Sequence, residues 1–275
     1  MIFIGYDLIT DVAMQAVESM GFVWSGYVKR KAPIEGFEFD TVAHRLLECF
    51  DKIPECDVVL SSAPIPHAKH LKDVVVKSDA NYLIWDLGQG PVTLKDMTVA
   101  SVPFQMLEWD IIFLTGVSVH ELGFSYSENR TFLLACIEKQ DLLTPRLRPP
   151  YPNQTLANLF NLSKDIDHIP VHGRHGQVFH KETRPWSLCG TVLSQWLIKA
   201  GALSPKVGTL AYPVNGKLHR ISPSEASVLV GHPLWTEDKV EACTGNPGKA
   251  VSLLLREPGM PVWVDLIERY VYENN

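Results

Sequence analysis

Short, continuous apolar runs recur through the first half of the chain, and they constrain its fold more than any other feature. Between them lie helix-like stretches such as Asp11–Met20, where apolar residues recur at helical spacing until Gly21. Buried strands that alternate with helices are typical of a parallel α/β sheet, because crossover helices cover both of its faces. The sequence therefore predicts an α/β fold with a mainly parallel sheet. The strand-like runs are 2–4, 57–60, 82–85, 110–114 and 131–136.

Composition agrees with a folded domain and limits the function. The chain has 275 residues, 46% hydrophobic and 20% charged, as globular proteins do. Its net charge of −6 argues against a protein that coats nucleic acid non-specifically, although one basic face remains compatible with DNA binding. The apolar runs are too short to cross a bilayer, so no membrane partner is expected. Scattered cysteines and the lack of a secretory signal predict an intracellular protein, cytoplasmic or nucleoid-associated.

A change of composition predicts the domain organisation. Residues 143–155 are rich in proline and suit a linker, and from there to about residue 220 the chain is irregular and rich in Gly, Pro, His and Trp. Helical character returns at Ser224–Val230 and Val262–Tyr270. We therefore expect one α/β domain built from residues 1–145 and 220–275, with a small irregular lobe at 150–219 between its two parts.

Four segments, in order, resemble sequence elements of the DNA cytosine-5 methyltransferases. The most specific is Arg220–Pro233, which resembles the Arg-Leu-Thr-Pro-x-Glu helix start that follows the target recognition region, with Ser222 as N-cap and Pro223 at the first helical position. The other three are the turn and strand at Leu122–Phe132, the strand at Arg184–Leu193, and Gly245-Asn246 followed by Ala250-Val251.

The resemblance implies a sheet of S-adenosylmethionine-dependent methyltransferase (Rossmann-like) type and a lobe at 150–219 that resembles a target recognition domain. In the family this lobe reads double-stranded DNA in the major groove, so its basic side chains become candidate phosphate or base contacts. These candidates are His172, Arg174, His175, Arg184 and Arg220.

The catalytic positions depart from the family. Its chemistry needs a thiolate that attacks the flipped cytosine, but Ile65 stands at the thiol's position. Trp85 replaces the glutamate that assists protonation, and Asp86, one place along the strand, is expected to face the other way. Tyr126 and Glu128 replace the glutamine and first arginine of the turn, and only Arg130 is retained.

The cofactor positions depart as well. The loop after the first strand, Asp7–Val12, lacks the glycines that let a backbone approach the cofactor, and a Lys29-Arg30 pair stands where an acidic residue holds its ribose. Any vestige of the cofactor site is expected near Asp7, Asp11, Gly245 and Asn246. The resemblance thus implies that no cofactor is bound, or S-adenosylmethionine if the pocket is retained.

Rival interpretations of single features are weaker. Four histidines, at 168, 172, 175 and 180, could suggest a metal, but Pro170 and Gly173 interrupt the spacing and polar residues on a loop are favoured, so no metal is predicted. Cys56 is the alternative nucleophile, yet it precedes its strand and so stands at the wrong end.

These observations favour a catalytically inactive methyltransferase-like protein that binds DNA, or that partners an active methyltransferase or another protein as a regulatory subunit. Two alternatives stay open: an active cytosine-5 methyltransferase with divergent motifs, and a protein-interaction scaffold on the same fold.

Overall fold

The computed structural model describes residues 1–8, 10–28, 46–47, 53–122, 129–138, 168–169, 211–214, 217–220, 223–231 and 254–272. The chain forms two compact units. One comprises Met1–Val117, Asn129–Leu147 and Arg256–Asn275, and the other comprises Ser118–Glu128 and Arg148–Leu255. The placement of residues 220–255 with the α/β domain, expected from the sequence, stays a prediction.

The first unit is built on a seven-stranded sheet in the order β3-β2-β1-β4-β5-β7-β6. Its strands are β1 (Ile2–Tyr6), β2 (Val23–Val28), β3 (Leu46–Leu47), β4 (Val58–Ser61), β5 (Tyr82–Gln89), β6 (Asp110–Val117) and β7 (Arg130–Cys136). The pairs among β1 to β5 are parallel, whereas β7 lies antiparallel between β5 and β6. The prediction of a mainly parallel α/β sheet is therefore confirmed.

Among the described residues, the helices that cover this sheet are α1 (Val12–Ser19), α2 (Ala68–Lys77), α3 (Leu94–Gln105) and α5 (Met260–Leu266), which continues as a π-helix over Ile267–Tyr272. A capping box begins α3, since Thr93 accepts from the Asp96 amide while the Asp96 carboxylate accepts from Thr93. Pro261 stands in the first turn of α5, where its missing N–H is not needed. No helix in the described ranges has the length and apolarity of a membrane span.

Strand alternation gives the sheet two apolar faces. One packs against α2 and α3, and Trp85 and Phe104 meet there with ring centroids 6.3 Å apart. The other face carries Phe132 and Tyr82, which meet Trp263 and Tyr270 of the C-terminal helix at 5.8 and 6.0 Å. Because α1 packs on α5 at this second face, residues far apart in sequence close one layer.

The second unit contains a three-stranded antiparallel sheet of short strands, which the sequence analysis did not predict. Its strands are β8 (His168–Ile169), β9 (Ala211–Val214) and β10 (Lys217–Arg220), in the order β8-β10-β9. The Asn215-Gly216 pair is a hairpin signal that could have predicted β9 and β10. The helix predicted at Ser224–Val230 is present as α4 (Pro223–Leu229).

Gly5 shows how tightly the end of β1 is packed. A Cβ added there would lie 2.5 Å from Leu8 Cδ1 and 2.8 Å from the Trp24 ring. We expect Gly5→Ala to lower the free energy of unfolding by about 1–3 kcal/mol, because an extra methyl group in a filled space forces its neighbours to move. Urea unfolding measures the decrease. Combining Gly5→Ala with Leu8→Ala should cost less than the sum of the two single effects, and strict additivity would show that the two side chains do not compete for space.

Candidate functional site

The carboxyl ends of β1 and β4 lie side by side, at the point where the strand order reverses. From there the chain passes to α1 on one face of the sheet and to α2 on the other. Open α/β sheets bind their ligands in the crevice outside the strand ends at such a switch point. The side chains that follow β1 and β4 therefore define the candidate site.

The loop after β1 is filled by its own side chains. Leu8, Thr10 and Asp11 are all buried, and the Leu8 side chain lies beside the α-carbon of Gly5. Asp7 has a φ of +48°, a left-handed conformation that glycine adopts more readily. Its backbone N–H donates to the Val28 carbonyl at 3.1 Å, which ties the loop to the end of β2.

Glu257, just before α5, contacts this loop. Both the backbone N–H and the hydroxyl of Thr10 donate to its Oε2. The Glu257 side chain is completely buried, and its Oε1 has no hydrogen-bond partner in the part of the chain that the structure describes. Burial raises the pKa of Glu257 to about 8, and the nearby Asp86 carboxylate adds to the rise. The shift favours the neutral, protonated form of the side chain near neutral pH.

The loop does not fit S-adenosylmethionine, the cofactor that the resemblance implies. A glycine loop lets the cofactor approach the backbone closely, whereas here Leu8 and Thr10 occupy that space with buried side chains. The amide of Thr10, a donor near the start of α1, is already taken by Glu257.

The turn after β4 is where the sequence resemblance predicts a nucleophile. Ser61 donates to the Tyr6 carbonyl at 3.0 Å and accepts from the Ala63 N–H at 3.1 Å, so the turn is fastened to β1. Ile65 begins a short 3₁₀ turn (Ile65–His67) and packs, half-buried, against the core. Beside it, His67 Nδ1 lies 4.0 Å from the Asp7 carboxylate.

Trp85 supports the same turn from the protein core. Its side chain is fully buried, and its indole Nε1 donates to the Ala63 carbonyl at 2.8 Å. The residue that the resemblance aligns with the family's glutamate is thus part of the core on the α2 and α3 side. It stabilises the turn, and it has no acidic group that could assist protonation.

Asp86 and Arg130 form a buried ion pair on the opposite face, as the alternation of β5 predicts. Arg130 Nη1 donates to Asp86 Oδ2 at 2.8 Å, and the Gly88 N–H donates to Oδ1 at 3.0 Å. Both side chains are almost completely buried. Burial raises the pKa of Asp86, and the Arg130 guanidinium opposes that rise. The arginine retained from the family's turn is therefore engaged inside the protein.

The two cysteines that the structure describes are poor nucleophiles. Cys56 is buried before β4, at the sheet edge opposite the site, and burial raises the pKa of its thiol to about 11. Burial also raises the pKa of Cys136, at the end of β7. A thiolate is the reactive form of cysteine, so both thiols are inert at neutral pH. Within the described ranges no cluster of side chains could hold a metal ion.

Comparison with solved structures decides the fold. A DNA modification methyltransferase encoded within an E. coli prophage matches with a TM-score of 0.65 and 12% identity, over 100% of this chain and 99% of its own. The Entamoeba histolytica methyltransferase EhMeth matches with 0.62 and 13%, over 100% and 98%. S. pombe Dnmt2 matches with 0.57 and 13%, over 99% of each chain.

This is a methyltransferase fold. The fold expected from the resemblance is confirmed, since all three matches are methyltransferases by name. No family model and no curated protein matches the sequence, and identities of 12–13% show the fold and nothing finer.

The methyltransferase fold brings together only part of the predicted site. Asp7, Asp11, Ile65, Trp85 and Arg130 lie at or beside the carboxyl edge of the sheet, and Arg220 ends β10. The remaining candidates lie outside the described residues: Tyr126, Glu128, His172, Arg174, His175, Arg184, Gly245 and Asn246. Sequence reasoning missed Glu257, because nothing in the local pattern around it indicates a partner 247 positions away.

Removing one partner of the buried ion pair should be costly. We expect Arg130→Met to lower the free energy of unfolding by about 3–5 kcal/mol, because it leaves the Asp86 carboxyl buried without its counter-charge. The double variant Asp86→Leu/Arg130→Met should recover much of that stability in chemical denaturation. If the double variant is as unstable as the two single effects combined, the pair does not behave as one unit.

The raised pKa of Glu257 predicts a pH dependence of stability. The folded protein keeps this proton up to about pH 8, whereas the unfolded chain releases it near 4.5. The contribution of this proton to the free energy of unfolding is therefore complete below pH 4.5. It is lost as pH rises toward 8, with a slope of at most about 1.4 kcal/mol per pH unit. Urea unfolding across this range should show a shallower pH dependence for Glu257→Gln than for the wild type. Parallel curves would mean that Glu257 does not titrate in this window.

Proposed function

We propose that this chain is a catalytically inactive methyltransferase-like protein that binds duplex DNA. The observation that carries the proposal is the turn after β4, where Ile65 stands at the nucleophile's position and Trp85 fastens the turn from the core. An isoleucine side chain cannot form the covalent adduct that activates a cytosine. The buried, protonated Cys56 offers no substitute.

We further propose that the protein does not use S-adenosylmethionine. The support is the packing of the loop after β1, in which Leu8 and Thr10 are buried and Glu257 takes the Thr10 amide. A methyl donor that cannot bind and a nucleophile that is missing are two separate defects. Either one alone would stop methyl transfer.

DNA is the proposed partner for two reasons. The solved structure with the highest of the quoted TM-scores is a DNA modification enzyme by name. Basic side chains, among them Arg174 and Arg184, also fall in the segment that resembles a recognition lobe. Phosphate contacts of such side chains would give binding that weakens as salt rises.

The test combines DNA binding with methyl transfer on the same duplex. We expect fluorescence anisotropy to show salt-dependent binding of a mixed-sequence duplex, while labelled S-adenosylmethionine transfers no methyl group to it. Arg174→Ala/Arg184→Ala should reduce the slope of log K against log salt by about 0.9 for each phosphate that the variant no longer neutralises. The matched control Lys69→Ala/Lys77→Ala removes the same charge from α2 and should leave the slope unchanged.

Three outcomes would contradict the proposal. Methyl transfer that disappears in the Cys56→Ala variant would establish an active enzyme with divergent motifs. Binding that both double variants weaken equally would indicate non-specific attraction. No retention of the duplex at low salt would favour a protein-interaction scaffold instead.

A further inference from the structure

The outer side of β6 is an open strand edge. β6 ends the seven-stranded sheet, and no strand in the described part of the chain pairs with its outer side. Every residue of β6 is at least partly exposed, whereas β7 beside it is completely buried. Yet β6 has four apolar residues in a row, Ile111 to Leu114, and contains neither proline nor lysine. Natural sheets protect such edges with charge, proline or a cover, because an open edge pairs with another strand.

The register of the sheet shows which backbone groups of β6 face outward. Ile137, directly after β7, donates its N–H to the Asn81 carbonyl, so the odd-numbered residues of β7 bond to β5 and the even-numbered ones bond to β6. Even residues of β7 lie opposite even residues of β6, as Leu134 lies opposite Ile112. In an antiparallel ladder the remaining residues of β6 then point their N–H and C=O groups away from β7. These residues are Ile111, Phe113 and Thr115.

We propose that the outer edge of β6 pairs with β6 of a second copy of this chain, antiparallel and centred on Phe113, so that the two sheets become continuous. Outward residues must face outward residues for the ladder to form, and centring on Phe113 places Ile111 opposite Thr115. The same register places Ile112 opposite Leu114. Phe113 then lies opposite its own copy, and cross-strand pairs of aromatic residues stabilise a sheet.

Charge and local geometry favour this self-pairing. Asp110 is the only charged residue of β6, and in this register it lies opposite Gly116 rather than opposite a second Asp110. Like charges directly opposite each other destabilise a strand pair, and the register avoids them. Gly116 has a left-handed φ of +79°, and the register between β6 and β7 shifts beside it, so the regular edge ends there. A pairing moved further toward Val117 would have to cross this irregularity.

Helix α3 favours a second copy over an extended peptide as the partner. It contacts α2, β6 and β7, and because α2 connects β4 to β5, α3 lies between α2 and the open edge. Its solvent side carries Val99, Val102 and Met106, which are 44%, 42% and 73% exposed. Antiparallel self-pairing has a two-fold axis normal to the joined sheets, which keeps both copies of α3 on one face. A second copy can therefore cover apolar surface that a single added strand would leave in water.

Sedimentation equilibrium of the intact protein without DNA tests the proposal. We expect the wild type to reach twice the 30.8 kDa mass of the chain as its concentration approaches about 100 µM, which populates even a weak dimer. Thr115→Pro removes an outward N–H and places a ring against the incoming strand, so this variant should stay monomeric. Thr115→Val keeps the N–H and the branched side chain, and it should dimerise like the wild type.

A second variant covers the case in which Thr115→Pro does not fold by circular dichroism. Val99→Lys places a charge on the exposed side of α3 and should weaken the dimer at least about tenfold, because like charges approach each other across the two-fold axis. The matched control Val76→Lys adds the same charge at a valine of α2 that is 54% exposed, and it should leave the dimer unchanged.

A wild type that stays monomeric at the highest concentration would overturn the proposal, and an added peptide strand would then be the better explanation of the open edge. So would a dimer that persists in folded Thr115→Pro, or one that Val76→Lys weakens as much as Val99→Lys, because the dimer would then form through another surface. None of these measurements includes DNA, so failure of the proposed function can be told apart from failure of this inference.

Discussion

A guanidinium group that is fully buried must have a counter-charge, and this constraint organises the carboxyl edge of the sheet. Arg130 meets it through Asp86, which joins the antiparallel strand β7 to the parallel strand β5. A second acid, Glu257, lies near this pair. Burial raises its pKa, and the Asp86 carboxylate adds to that rise. The same carboxyl group accepts both donors of Thr10, so the buried polar groups extend from β7 to the start of α1.

The requirements of a methyltransferase scaffold differ from those of its chemistry. A parallel sheet with a switch point can be retained by apolar packing alone, and the two faces around Trp85 and Trp263 supply that packing. Catalysis depends instead on a few side chains at the strand ends. At two of the positions where the sequence resemblance predicts such side chains, Ile65 packs on the core and Trp85 donates to a backbone carbonyl.

Much of the fold could be predicted because buried strands are marked by local composition. The apolar runs at 2–4, 82–85 and 131–136 all became strands, and the helix expected at Asp11–Met20 became α1. The antiparallel direction of β7 could not be read from its residues, since an apolar strand looks the same in either direction. Likewise β3, only two residues long, has no period to detect.

The site was less predictable, for reasons of distance and charge. The opposite orientations of Trp85 and Asp86 follow from strand alternation and were expected. The pairing of Asp86 with Arg130 spans 44 positions, and that of Thr10 with Glu257 spans 247. No local pattern records which buried acid is ionised and which is neutral, because that depends on the complete arrangement of charges. DNA contacts by Arg174 and Arg184 remain predictions.

The contact across 247 positions also has a consequence for the order in which the protein folds. Synthesis produces β1 and α1 before the helix that covers them, and the second unit lies between them in the chain. Until that helix is made, the apolar side of α1 has no native neighbour from α5. The first unit therefore cannot complete its second layer while the second unit is being synthesised.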